Sequence, residues 1–232
     1  LLPYAQRTLE QVRQFVVRFK DHPAVLLWGL GNEMEGETGD KIEIWHAVQE
    51  AAKLTKQLDP NHPTMTVIAE MGGQKVAGLH QYCPDIDIIG INSYGGGPSV
   101  AERYAKLNGS KPYILTEFGP VGPWEAGKTS WGAPYEPTST EKAALYRKTY
   151  EGSIANQPLC LGSYAFLWGQ KQETTATWFG MFLKDGDKLQ GVDTLTELWT
   201  GNPPASRCPV INQLKIRDLR EFAPGAVFSA DL

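Results

Sequence analysis

Glu33 and Glu117 each close a short apolar run. "LLWGLGNE" at 26–33 ends on Asn32-Glu33, and "YILTEFG" at 113–119 carries Glu117 two positions before its glycine. Comparable runs end in Glu70, in Asn92 and Tyr94, and in Trp168. A single acid in such a place marks only where a strand reaches solvent. Two acids on one rim, with amide and aromatic side chains beside them, can do chemistry. One, kept protonated, donates to a departing oxygen; the other, ionised, attacks or activates water. That division of roles is what cleavage of a glycosidic bond requires.

The elements between these residues decide whether the acids share a rim. Residues 8–20 place Leu9, Val12, Val16 and Phe19 at helical spacing, and a strand over 25–32 follows "DHP". A second amphipathic helix at 40–58 carries Ile44, Trp45, Val48, Ala52 and Thr55 on one side. "TMTVIAE" at 64–70 is β-branched and reads as a strand, 74–82 as a short helix, and "DIIGINSY" at 87–94 as a strand. Ser99 and Glu102 offer a capping box for the next helix, before the strand at 113–119. A long loop, "PVGPWEAGKTSWGAPYEP", leads to a second box, Thr138 and Glu141, and a helix to about residue 156. "LGSYAFLW" at 161–168 is the fifth strand, "KDGDK" at 184–188 turns a small hairpin, and 193–200 forms a last helix.

Five apolar strands separated by helices indicate a parallel sheet in an α/β fold. In such sheets all carboxyl ends of strands lie on one side, where sites are built. Glu33 and Glu117 therefore face one another from distant parts of the chain.

The composition sets the class. With 232 residues, 41% hydrophobic and 21% charged, the chain can bury a core as one globular domain. A formal charge of −4 disfavours nucleic acid or an anionic membrane as partner. No apolar run reaches the roughly 18 residues of a membrane span. Cys83, Cys160 and Cys208 form no CxxC pair and have no His at ligand spacing, so no metal is expected. No glycine-rich phosphate loop follows a strand, and no cofactor is expected. A secreted or periplasmic location is the expectation.

The local motifs carry a family resemblance. "WGLGNE" resembles the Asn-Glu motif that ends the fourth strand of clan A glycoside hydrolases. The resemblance implies that Glu33 is the acid/base and that Asn32 binds the sugar hydroxyl beside the reacting carbon. "ILTEFG" is similar to the seventh-strand motif, which makes Glu117 the nucleophile. "INSY" resembles the sixth-strand segment whose tyrosine, here Tyr94, hydrogen-bonds that nucleophile. "YAFLW" resembles the eighth strand, with Trp168 as the floor under the cleaved sugar.

The match runs over about residues 8–200, nearest to glycoside hydrolase family 2 and then family 5. It implies a (β/α)8 TIM barrel of which this chain carries strands four to eight. The helix at 8–20 is then the third, and strands one to three, with the family's second-strand Arg, are not in this sequence. An upstream segment or a second chain would complete the barrel. Residues 1–200 form the catalytic part, and 201–232 are expected to be a linker and the start of a following segment.

Around the two acids, Asn92 and Glu70 are rim candidates. Trp124, Trp131 and Tyr135, in a loop too aromatic for a bare connector, suit outer subsites. Trp178 and Phe179 are weaker candidates; His22 and His62, each beside a proline, read as turn residues on the opposite face, and His46 and His80 as structural. The expected activity is retaining hydrolysis of a β-glycosidic bond in an oligo- or polysaccharide. Transglycosylation on the same fold, or a carbohydrate-binding module without turnover, are the alternatives.

Overall fold

A computed structural model describes residues 3–210 and the two-residue strands at 215–216 and 230–231. Helices and strands alternate in chain order: α1 (Pro3–Phe19), β1 (Trp28–Asn32), α2 (Ile42–Leu58), β2 (Thr64–Ala69), α3 (Lys75–Tyr82) and β3 (Ile88–Asn92). Then come α4 (Val100–Lys106), β4 (Tyr113–Phe118), α5 (Ser139–Thr149), β5 (Cys160–Ala165) and α6 (Gln190–Thr200). A separate antiparallel pair joins β6 (Lys215–Ile216) to β7 (Ala230–Asp231).

The main sheet runs β1-β2-β3-β4-β5, and each neighbouring pair is parallel. Spatial order equals chain order. A doubly wound sheet reverses its order at a switch point, whereas a (β/α)8 barrel adds each strand beside the last. The sheet is thus an arc of barrel, five of its eight strands.

Burial follows the arc. On the helix side Ile68, Leu79, Ile89, Ile91 and Leu115 are fully enclosed with Trp45 and Ala52 of α2. On the opposite face Met65, Val67, Ile88 and Ile114 form a smaller cluster. The apolar composition of β2, β3 and β4 reflects this two-sided burial. The flanking strands differ, because each has a partner on one side only: Leu161 and Tyr164 of β5 are more than half exposed, as is Leu26 before β1. Among the described residues no helix is long and apolar enough to cross a membrane.

The two expected capping boxes part company. At α5 the Glu141 N–H donates to Thr138 Oγ1 (3.3 Å) and the Thr138 N–H to Glu141 Oε2 (2.8 Å), closing the box. At α4 no box forms. Ser99 sits at the end of a 3₁₀ turn, Gly97–Ser99, donates to the Gly96 carbonyl, and accepts from Arg103 Nε (3.0 Å). Arg103, one turn into the helix, has taken the hydroxyl that would have capped it. The expected hairpin around "KDGDK" reduces to a single bridge, Phe182 to Lys188.

Candidate active site

Three strand ends build the rim in the same way. The Glu33 N–H donates to the Val67 carbonyl (2.9 Å), Glu70 N–H to Asn92 (2.8 Å), and Ser93 N–H to Glu117 (2.9 Å). Glu33 and Glu70 both have φ of 52°, the left-handed region that few non-glycine residues occupy. The chain thus leaves each strand at once while its last N–H still pairs with the next strand. Such backbone strain, on the order of 1–3 kcal/mol per residue, collects at functional sites.

The side chains converge on a cavity of about 570 Å³ whose lining includes Glu33, Glu70, Asn92, Tyr94 and Glu117. Glu33 stands exposed at the rim and accepts from Asn92 Nδ2 at 2.6 Å. The same amide nitrogen donates to Asn32 Oδ1 (3.2 Å), and Asn92 Oδ1 accepts from Thr116 Oγ1 (2.6 Å). These bonds fix which way the amide faces. Asn92 is 2% exposed, so Glu33 is steered by a group that cannot move away.

Glu117 accepts from the Tyr94 hydroxyl at 2.6 Å. Tyr94 is in turn wedged edge-on by Trp124 (5.5 Å between centroids) and Phe166 (5.8 Å), with Phe179 at 5.2 Å. Burial pushes the Glu117 carboxyl above the usual glutamate range; the Tyr94 hydrogen bond pulls it back and the neighbouring charge of Glu33 adds to the rise. Burial likewise raises Tyr94, reinforced by its bond to Glu117. The phenol therefore stays protonated and donates.

Other residues hold these in place. Glu35, 3% exposed, accepts the Ala69 N–H at 2.8 Å and pairs with Lys75, equally buried, at 3.1 Å. Lys75 lies under Gly39, where φ is 67° and an added Cβ would fall 2.9 Å from the Lys75 backbone. Glu125 Oε2 accepts the N–H groups of Gly95 (3.0 Å) and Gly122 (2.8 Å), tying the loop after β4 to the end of β3. Glu136 accepts from Lys142, Thr175 and Thr177, joining that loop to the one after β5. Among the described residues no group of three His, Cys, Asp or Glu is placed to hold a metal ion.

The sequence matches the family described as "Glycosyl hydrolases family 2, TIM barrel domain" over residues 3–188. The chain belongs to glycosyl hydrolase family 2. A β-glucuronidase of Sus scrofa is 33% identical over 94 residues, which is 38% of this chain and 12% of that protein. A β-glucuronidase structure from Faecalibacterium prausnitzii superposes with a TM-score of 0.63 at 19% identity, covering 86% of this chain and 35% of that one. A β-galacturonidase from Eisenbergiella tayi gives a TM-score of 0.61 at 16% identity, covering 86% of this chain and 37% of that one. The family 2 chain thus spans roughly a third of the length of these solved structures and an eighth of the porcine protein.

Within this family 2 barrel arc the expected rim residues divide. Glu33, Asn92, Tyr94, Glu117, Glu70 and Trp124 line the cavity, and Asn32 touches the group through Asn92. Glu70 is also ion-paired, to Arg103 Nη2 at 3.0 Å, and accepts from Ser93 Oγ. Trp168 does not form the expected floor. The strand ends at Ala165, the Leu167 N–H turns to the Phe179 carbonyl, and Trp168 lies 70% exposed against Phe182. Phe166 lines the cavity in its stead, and its peptide bond to Leu167 is cis. Trp131, 79% exposed, is not part of the cavity wall either, since the turn from Thr129 to Ala133 carries it outward. Trp178 and Phe179 are buried and act from behind: the Trp178 indole donates to the Val121 carbonyl, and Phe179 backs Tyr94.

Sequence reasoning missed Phe166, Glu125, Lys171 and Glu173, which also line the cavity. All sit in loops with no periodicity to reveal them. The one available signal was for Phe166, which lies two residues before the tryptophan that the motif favoured.

Proposed function

We propose that this chain supplies the catalytic carboxylates of a retaining β-glycosidase. The observation that carries the reading is the pair Glu33 and Glu117 on one rim, each held by its own partner, Asn92 and Tyr94. Glu117 attacks the anomeric carbon while Glu33 gives its proton to the departing oxygen; Glu33 then takes a proton from the water that frees the sugar. The exposed position of Glu33 suits a group that meets leaving group and water in turn. The half-buried position of Glu117, with a phenol donating to one oxygen, suits a nucleophile held in line. Relatives named β-glucuronidases put a uronide among the glycones to test.

Kinetics of two variants in the full-length protein test the roles. Glu117→Ala should lose turnover on every substrate, because no glycosyl-enzyme forms. Glu33→Ala should still be glycosylated by aryl glycosides with good leaving groups, stall at the second step, and recover with azide. On natural substrates the loss should be about 10²–10⁴-fold. Equal loss on natural and activated substrates, without azide rescue, would remove Glu33 from the acid/base role.

A further inference from the structure

The loop after β5 brings one cation, Lys171, to the cavity wall. Its Nζ lies 2.7 Å from Glu173 Oε2 and 5.3 Å from the centre of the Phe166 ring. Glu173 Oε2 is buried and accepts no hydrogen bond, so the ammonium is the counter-group the structure gives it. The Glu173 backbone is locked as well, exchanging both of its hydrogen bonds with Thr175 (2.8 and 3.1 Å). The pair therefore stands as a fixed neutral unit, while the half-exposed Lys171 keeps further N–H donors open.

The other charges around the cavity are acidic. Glu33 and Glu117 face neutral donors, Asn92 and Tyr94. Glu125 is satisfied by two backbone N–H groups. Glu70 has Arg103, but that guanidinium also bonds the Gly96 carbonyl (2.9 Å) and is committed there. Among the described residues no cation lines the cavity without a carboxylate partner. Burial is the first cause of the upward displacement of Glu117 and Tyr94; the charges of Glu33 and Glu173 add to it, and Lys171 opposes it at Glu117.

We infer, on the glycosidase reading above, that this cavity takes an electrically neutral glycone and rejects a uronic acid, with Lys171 and Glu173 together reading sugar hydroxyls. A sugar carboxylate on the open donors of Lys171 would share one ammonium with Glu173 and set a second anion beside Glu173 and Glu117. Like charges brought together are how sites exclude a wrong partner. A neutral sugar brings no such charge: its hydroxyls can accept from Lys171 and the pair stays intact.

The test is a panel of 4-nitrophenyl β-D-glycosides on the full-length protein: glucoside, galactoside and mannoside against glucuronide and galacturonide. The best neutral glycoside should exceed both uronides in kcat/KM by about 100-fold or more, the scale on which like charges brought together discriminate. Glu173→Gln, which unmasks Lys171, should move the uronide-to-neutral ratio up by about tenfold, the factor that one lost charge contact of about 1.4 kcal/mol gives. Lys171→Met should lower kcat/KM for the neutral glycosides and leave the uronides poor. A uronide turned over as well as the best neutral sugar, or a ratio unmoved by Glu173→Gln, would overturn the inference. Turnover of no glycoside would instead fell the hydrolase reading. Calorimetric titration with glucose, galactose and mannose against glucuronate and galacturonate then decides: tighter uronate binding overturns the charge preference, tighter neutral binding upholds it.

Discussion

Glu35→Ala should destabilise this chain more than any single change at the cavity. The Glu35 and Lys75 side chains are 2% and 4% exposed, with Nζ 3.1 Å from Oε1. The same Oε1 accepts the Ala69 N–H, and Lys75 also donates to the Ala69 carbonyl. Alanine would leave a buried ammonium without its counter-charge and a backbone N–H without an acceptor at the end of β2. Removing one member of a buried pair costs about 3–5 kcal/mol. For a domain of this size 1 kcal/mol moves Tm by about 2–4 °C. The thermal midpoint followed by circular dichroism should therefore fall by roughly 6–20 °C. Turnover should fall too, because Glu33 lies two residues upstream on the same turn. The double variant Glu35→Leu/Lys75→Met should regain most of the loss, since an apolar pair of similar volume replaces a buried ion pair at little cost. A Glu35→Ala midpoint within about 2 °C of wild type, or a double variant no better than the single, would refute the reasoning.

Three further outcomes follow from the same structure. Tyr94→Phe removes a hydrogen bond that lowers the Glu117 pKa, so the acidic limb of kcat/KM should move to higher pH, by about one unit for a charge-assisted bond partly screened by solvent; an unmoved limb would separate Tyr94 from the nucleophile. Glu117 is raised in the folded chain, so its protonated form stabilises the fold below the usual glutamate range, and that contribution is lost as pH rises through the folded value. Glu117→Gln should then have the higher Tm at pH 7, with the gap closing towards pH 4; a variant less stable than wild type at pH 7 would contradict this. Thr138→Ala opens the α5 capping box and should cost about 1 kcal/mol, or 2–4 °C in Tm, without changing kcat; unchanged stability would count against the cap.

The fold was largely legible because periodicity and burial agree. The apolar runs of β2, β3 and β4 are enclosed on both faces, and Trp45, Val48, Ala52 and Thr55 turn inwards from α2 as their spacing requires. The acids could be placed on one rim because parallel strands with sequential order leave no other side for their carboxyl ends. Legibility failed where a side chain had two partners to choose from. Ser99 has the pattern of a cap, yet Arg103 holds it. Trp168 has the composition of a sugar platform, yet the strand ends three residues earlier and Phe166 faces the cavity. No sequence pattern singles out Glu35; its three-dimensional pairing with Lys75 sets it apart. The calls that fall on residues 211–214 and 217–229 lie outside the described residues.

The assignment of Glu117 as the attacking group is tested most directly by trapping. The full-length protein should be incubated with the 2-deoxy-2-fluoro analogue, bearing a good leaving group, of a β-glycoside that it turns over. Intact mass spectrometry followed by peptide mapping then locates the slowly released adduct. The retaining mechanism requires one glycosyl group per chain, attached to Glu117 in the segment "YILTEF". An adduct on Glu33, or none formed while the parent glycoside is hydrolysed, would contradict the account.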